Sequence, residues 1–319
     1  MIQRRAPIGG ALTLLLGVSI VCPAVYGDGA QSSSTPGSME MLERADTAFL
    51  RAFSERDLWA MGEVWANTDH ASAIHPAHPV AYVNWDNVRN SWKQTFGHNR
   101  NVRIQRRAGA AHIAGDVAWV VDATRFEAVQ TQTGQPVLMR NVIGTKIFEQ
   151  HGDDWRLVHY HAHLPGLDTR KQAAEGLTRQ RTISNRPPET LRQANAAFAQ
   201  ALSSDELAIM SRAWAKTDYV SAIHPGYPAP FLGWEDVRTS WKRTFEYSSD
   251  IEIRTLWEHW NVAGDIAWVV EAARFEGRQV DSLQPIRLFN LLVTKIFERA
   301  GGVWLLVHFH AHRGASRGG

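Results

Sequence analysis

The sequence predicts an α+β protein made of two copies of one domain, with helices first and a bent antiparallel sheet after them. Three observations carry this. Shifting the chain by 149 residues lays Leu42–His163 on Leu191–His312 without a gap, with about 55 of the 122 pairs identical. Within each copy the apolar period changes from helical to two. Gly115-Asp116 and Gly264-Asp265 stand between apolar runs as hairpin turns. The 319 residues suit two domains, each large enough to bury its own core.

Taken in order, residues 1–27 read as a secretory signal, or else as an uncleaved N-terminal anchor. Arg4 and Arg5 form its charged start, Pro7–Val21 its apolar stretch, and Val25 and Gly27 the small residues before a cleavage at Asp28. That apolar stretch is short for a bilayer span, so no stable membrane insertion is expected after cleavage. Residues 28–39 read as a flexible leader, 40–164 as domain 1, 165–188 as a linker and 189–313 as domain 2. Leu42, Ala45, Phe49 and Phe53 recur at helical spacing, as do Leu191, Ala194, Phe198 and Leu202. A second, short helix carries Leu58, Met61 and Trp65. A third carries Trp85, Val88, Trp92 and Phe96, with Asn84 suited to its N-cap. Apolar strands follow, and each copy ends in LVHxHAH.

Composition excludes several functions. Lys and Arg number 34 and Asp and Glu 32. Without Arg4 and Arg5 the charges balance, which leaves no electrostatic footprint for nucleic acid. Cys22 is the only cysteine, so there is neither a disulfide framework nor a Cys-ligated zinc. Motifs for nucleotides, zinc proteases and serine hydrolases are missing. The location expected from the signal is secreted or periplasmic.

The closing segments DDWRLVHYHAH and GVWLLVHFHAH resemble the end of the association (hub) domain of calcium/calmodulin-dependent kinases. Each copy, almost end to end, resembles the SnoaL-like proteins of the nuclear transport factor 2-like superfamily. The resemblance implies a cone, a curved sheet wrapped round helices with a cavity at the open end. It implies sheet-to-sheet pairing as well, here an intramolecular pseudo-dimer, with a further homo-oligomer left open. It brings no metal and no cofactor. It also implies that Arg125 and Arg274, with Lys146 and Lys295, stand where the hub domain keeps arginines for small carboxylates. Lysine at the second place keeps the charge but loses bidentate recognition.

The residues themselves leave alternatives open. Arg125 and Arg274 are expected either as anion anchors on the cavity wall or as internal ion pairs with Glu127 and Glu276. Asp122 and Glu271, on the opposite strand face, are the candidate general bases, or else residues of an interface or surface. His159, His161 and His163 share one strand face, as do His308, His310 and His312, either as pocket wall and structure or as metal ligands. His75 and His224, before prolines, line the pocket or satisfy loop backbone. Trp257 and Trp260 replace Ala108 and Ala111, making one wall of domain 2 bulkier. The expected function is binding of a small acidic or carbonyl-bearing organic molecule. Arg125, Lys146, His75 and His161, with Arg274, Lys295, His224, His310 and Trp257, would make its contacts. The alternatives are an isomerase, dehydratase or cyclase using Asp122 or Glu271 with a histidine, and an interaction module without chemistry.

Overall fold

A computed structural model describes residues 37–76, 78–166 and 186–314. The signal, most of the leader and most of the linker lie outside the described residues. In domain 1, α1 (Ser38–Glu55), α2 (Leu58–Val64) and α3 (Trp85–His98) pack against β1 (Ser72–Ile74), β2 (Tyr82–Val83), β3 (Asn99–Ala114), β4 (Val117–Gln130), β5 (Pro136–His151) and β6 (Asp154–His163). Domain 2 repeats the order with α4 (Glu189–Ser203), α5 (Leu207–Met210), α6 (Trp234–Tyr247), β7 (Ser221–Ile223), β8 (Phe231–Leu232), β9 (Ser248–Ala263), β10 (Ile266–Gln279), β11 (Pro285–Ala300) and β12 (Val303–Arg313).

Local chemistry sets these boundaries. Asp57 caps α2 by accepting from the amides of Trp59 and Ala60, and Asn84 caps α3 by accepting from that of Asn87. Gly115 and Gly264, both at φ 60°, turn the long hairpins as expected. Each sheet runs β2-β1-β6-β5-β4-β3 or its counterpart. It is not wholly antiparallel. The short β1 pairs parallel to β6, because α3 and the long hairpins intervene before the chain returns beside it.

Bulges at Arg106/Ala108, Thr124/Phe126 and Ile147/Phe148 bend the long strands round the helices. The concave face of domain 1 closes on Leu42, Phe49, Met61, Val88 and Trp92. The convex face is buried as well. Trp119, Val121, Ile143 and Ile147 join the core cluster of domain 2, so the two sheets pack back to back. Matched contacts frame this interface. Asn141 donates to the Pro228 carbonyl, and Asn290 donates to that of Pro79 at 2.7 Å.

Candidate functional site

Strand alternation decides what each cone contains. In domain 1, Asp122, Thr124 and Phe126 of β4, Gly144 and Lys146 of β5, and Tyr160 and Ala162 of β6 face inward. With Phe49 and Phe53 of α1 they line a cavity of about 200 Å³, with His75, His78 and His98 on its wall.

Lys146 is 1 % exposed and needs partners at that depth. It donates to Asp46 at 2.5 Å and to Asp122 Oδ2 at 2.7 Å. Arg106 closes the group by pairing with Asp46 and lying 3.6 Å from Asp122. Two carboxylates and two cations sum to zero charge. Asp122 Oδ1 lies against β5 at residue 144. It is accommodated because residue 144 is glycine, where a Cβ would stand only 2.9 Å from that oxygen. Burial, then the Asp122 charge, raises the Tyr160 phenol far above its usual range, so it stays a proton donor. Burial, and secondarily His78, lowers the His75 imidazole. Ser91 donates to the Val88 carbonyl at 2.7 Å, so hydrogen-bond bookkeeping has His75 Nε2–H donating to Ser91 at 2.8 Å.

Domain 2 keeps the shell and loses much of this equipment. Asn195, Thr255, Phe309, Tyr227 and Val293 stand where domain 1 has Asp46, Arg106, Tyr160, His78 and Gly144. Lys295 pairs with Glu271 at 2.7 Å, and Asn195 donates to Glu271 at 2.8 Å. Neither member of the ion pair lines the domain 2 cavity, which is larger at about 420 Å³. His224, held by Ser240 at 2.8 Å, does line it.

Several expected residues lie elsewhere. Arg125 and Arg274 face away from the cavities and pair with Glu127 and Glu276 on the same strand. A guanidinium there shares its parity with Trp119 and Val121, which belong to the convex face. Trp257 is half-buried beside His259 at 6.2 Å and lines neither cavity.

His161 and His310 lie between the domains, because their strand parity is that of the convex face. There the six strand histidines form two matched chains. Ser72 contacts His159 (2.8 Å), which contacts Thr294 (2.9 Å). Thr294 reaches His161 (2.8 Å), and His161 reaches His312 (2.8 Å). The counterpart runs Ser221, His308, Thr145, His310, His163, with contacts of 2.8 to 2.9 Å. Each threonine therefore bridges two imidazoles of the opposite domain. Burial holds His159 and His308 down at about 3 and His163 at about 4, and lowers His161, His310 and His312 as well, so the rings are neutral. One donor nitrogen from each of His161, His310 and His312 lies within 4.8 Å of the others. However, His161 and His310 stack face to face at 3.5 Å and 5°. An ion shared by that pair would lie half the ring separation out of each plane, whereas imidazole ligates through an in-plane lone pair. This arrangement suits hydrogen bonding between domains.

Sequence reasoning missed Asp46, Arg106, Tyr160, Thr145 and Thr294. Asp46 was visible in principle as a carboxylate four residues after Leu42 and three before Phe49, on a buried helical stripe.

Comparisons with known proteins agree with the duplication. The model of the SnoaL-like domain family matches residues 42–165 and 191–311. The F-box protein SKIP8 of Arabidopsis thaliana is 28% identical over 123 residues, which cover 39% of this chain and 49% of that protein. The match thus spans about half the length of that relative. Among solved structures, a nuclear transport factor 2-like superfamily protein from Salmonella enterica is 14% identical. It covers 40% of this chain and 91% of its own, with a TM-score of 0.37. A ketosteroid isomerase-like protein from Erwinia carotovora is 18% identical and covers 40% and 97%, with a TM-score of 0.36. A Thiobacillus denitrificans protein, whose name likens it to the calcium/calmodulin-dependent protein kinase type II association domain, is 25% identical. It covers 38% and 93%, with a TM-score of 0.32.

Proposed function

The chain belongs to the SnoaL-like domain family and carries the domain twice, and from that premise we propose that domain 1 binds a small, neutral, carbonyl-bearing organic molecule in its cone. One observation carries this reading: Asp122, Lys146, Tyr160 and His75 line a largely apolar cavity in domain 1, while the ion pair of domain 2 lies outside its cavity. The Asp46, Lys146, Asp122 and Arg106 charges cancel, so no uncompensated cation awaits an acidic ligand. Tyr160, held protonated, supplies the O–H that a carbonyl oxygen accepts.

Titration calorimetry with small cyclic ketones and enones, cyclohexenone first, against carboxylates of equal size tests the proposal. Binding of the neutral compounds is expected, weakened about tenfold in Tyr160→Phe and lost in Met139→Trp, which fills the cavity. A preference for the carboxylates that Met139→Trp abolishes, or binding of the neutral compounds unchanged in Met139→Trp, would overturn it.

A second reading, acid–base catalysis of the isomerase or dehydratase type, is favoured by Asp122 Oδ1. Oδ2 is held by Lys146, while Oδ1 faces the small residue Gly144 on the cavity wall. Asp122 would take a proton beside the carbonyl and Tyr160 would steady the oxygen. Exchange of α-deuterons into solvent, followed by NMR, should occur in the wild type and stop in Asp122→Asn. Intact deuteration in the wild type rules catalysis out while leaving the binding reading in place.

Residues 1–27 enter the same proposal as an export signal. Amino-terminal sequencing of the extracytoplasmic fraction should begin at Asp28, and recovery of the intact terminus from the cytoplasm would contradict this.

A further inference from the structure

The domain 2 cavity is not a worn copy of the first, because its polarity runs the other way. Apart from the neutral imidazole of His224, its deep wall is apolar, formed by Leu202, Trp241, Phe275, Leu288 and Phe309. Glu271 and Lys295 satisfy each other outside it. A charged group at that depth would be unpaired and costly, so any charge on an occupant must stay at the rim.

The rim has gained what domain 1 lacks. Arg243 lines the cavity and is exposed, where domain 1 has Gln94. It makes no ion pair with a carboxylate among the described residues. Its acidic neighbour on the helix, Glu246, is engaged by Lys242 at 3.6 Å. Two phenols replace two imidazoles beside it. Tyr247 stands where domain 1 has His98, and Tyr227 where it has His78. Tyr247 already accepts from Gln279 at 2.6 Å, which leaves its own O–H free to donate. In domain 1 the counterpart of Tyr227 is tied to Tyr82 at 2.8 Å. In domain 2 that tether is gone, because residue 231 is phenylalanine. The rim thus offers a guanidinium and two phenol donors above an apolar well, the recognition pattern for an anion with an apolar body.

We propose that the domain 2 cone is a second binding site, separate from that of domain 1, for a carboxylate-headed amphiphile. Its apolar body enters the well and its head stays at the rim with Arg243, Tyr227 and Tyr247. The cavity of about 420 Å³ holds a body on the order of ten non-hydrogen atoms at roughly 30 Å³ for each small group. A short or medium acyl chain or one substituted aromatic ring fits. The proposal does not depend on the domain 1 reading, since no residue is shared.

The test uses the full chain with octanoate and octanol as probes, followed by tryptophan fluorescence and calorimetry, since Trp241 forms part of the well. Octanoate should bind about tenfold tighter than octanol. Arg243→Gln should remove that preference while leaving octanol binding unchanged. Leu288→Trp should abolish binding of both probes, and the matched Met139→Trp in domain 1 should leave both intact. Equal affinity for octanoate and octanol in the wild type would overturn the anionic head. Loss of binding in Met139→Trp rather than Leu288→Trp would overturn the assignment to domain 2. Absence of octanoate binding in a folded wild-type protein would overturn the proposal as a whole.

Discussion

Mild acid should dismantle this protein through its histidine interface. The perturbation is a fall in pH from 7.5 to 5. A histidine in the unfolded chain takes up its proton near pH 6.5, whereas burial holds His159 and His308 at about 3 and His163 at about 4. These are bases whose folded values are depressed. Below pH 6.5 the unfolded state therefore binds more protons than the folded one, and stability falls as pH drops from 6.5 toward the folded values. At pH 5 each such residue contributes a loss of about 2 kcal/mol, so these three together cost about 6 kcal/mol. His161, His310 and His312 shift in the same direction. The loss is comparable with the 5–15 kcal/mol that typically separates folded from unfolded domains. Urea unfolding followed by tryptophan fluorescence at several pH values checks this. The stability slope between pH 6.5 and 5 should correspond to more than two protons. The paired variant His159→Gln with His308→Gln should flatten it by about two. Stability that is level across that range would refute the assignment of these rings as buried and neutral.

Three further outcomes follow from the geometry. Lys146→Met leaves Asp46 and Asp122 sharing only Arg106 and should cost about 3–5 kcal/mol in urea unfolding. Gly144→Val puts a side chain against Asp122 Oδ1, as Val293 does opposite Glu271. It should cost about 1–3 kcal/mol and abolish cyclohexenone binding, read by calorimetry on the folded variant. Thr145→Val together with Thr294→Val removes the hydroxyls that each bridge two imidazoles. It should lower stability by about 2–6 kcal/mol at pH 7.5 and loosen the domains in small-angle scattering.

The duplication, the helical stripes, the hairpins and the shared face of the three strand histidines were all legible in the sequence, because each follows from spacing along the chain. Which sheet face turns inward was not legible. Alternation separates Asp122 from Arg125 but does not say which meets the helices, and that is settled by contacts such as Asp46 with Lys146, 100 residues apart in sequence. The bulges at Arg106/Ala108 and Thr124/Phe126 leave no mark in composition. The histidines were visible as a cluster but not as a crossed one, since Thr145 finds its partners in the other copy.

Between the copies, every serine, threonine and histidine of the two crossed chains is retained at its matched position, while Gly144, Tyr160 and His78 have diverged to Val293, Phe309 and Tyr227. Two identical chains pairing through such a face would have to change both cavities at once. Joined in one chain, each cone can change alone, while the face that holds them together stays under a shared constraint. The covalent link thus acts as a release from symmetry: one molecule can carry two different cavities on a single rigid seam.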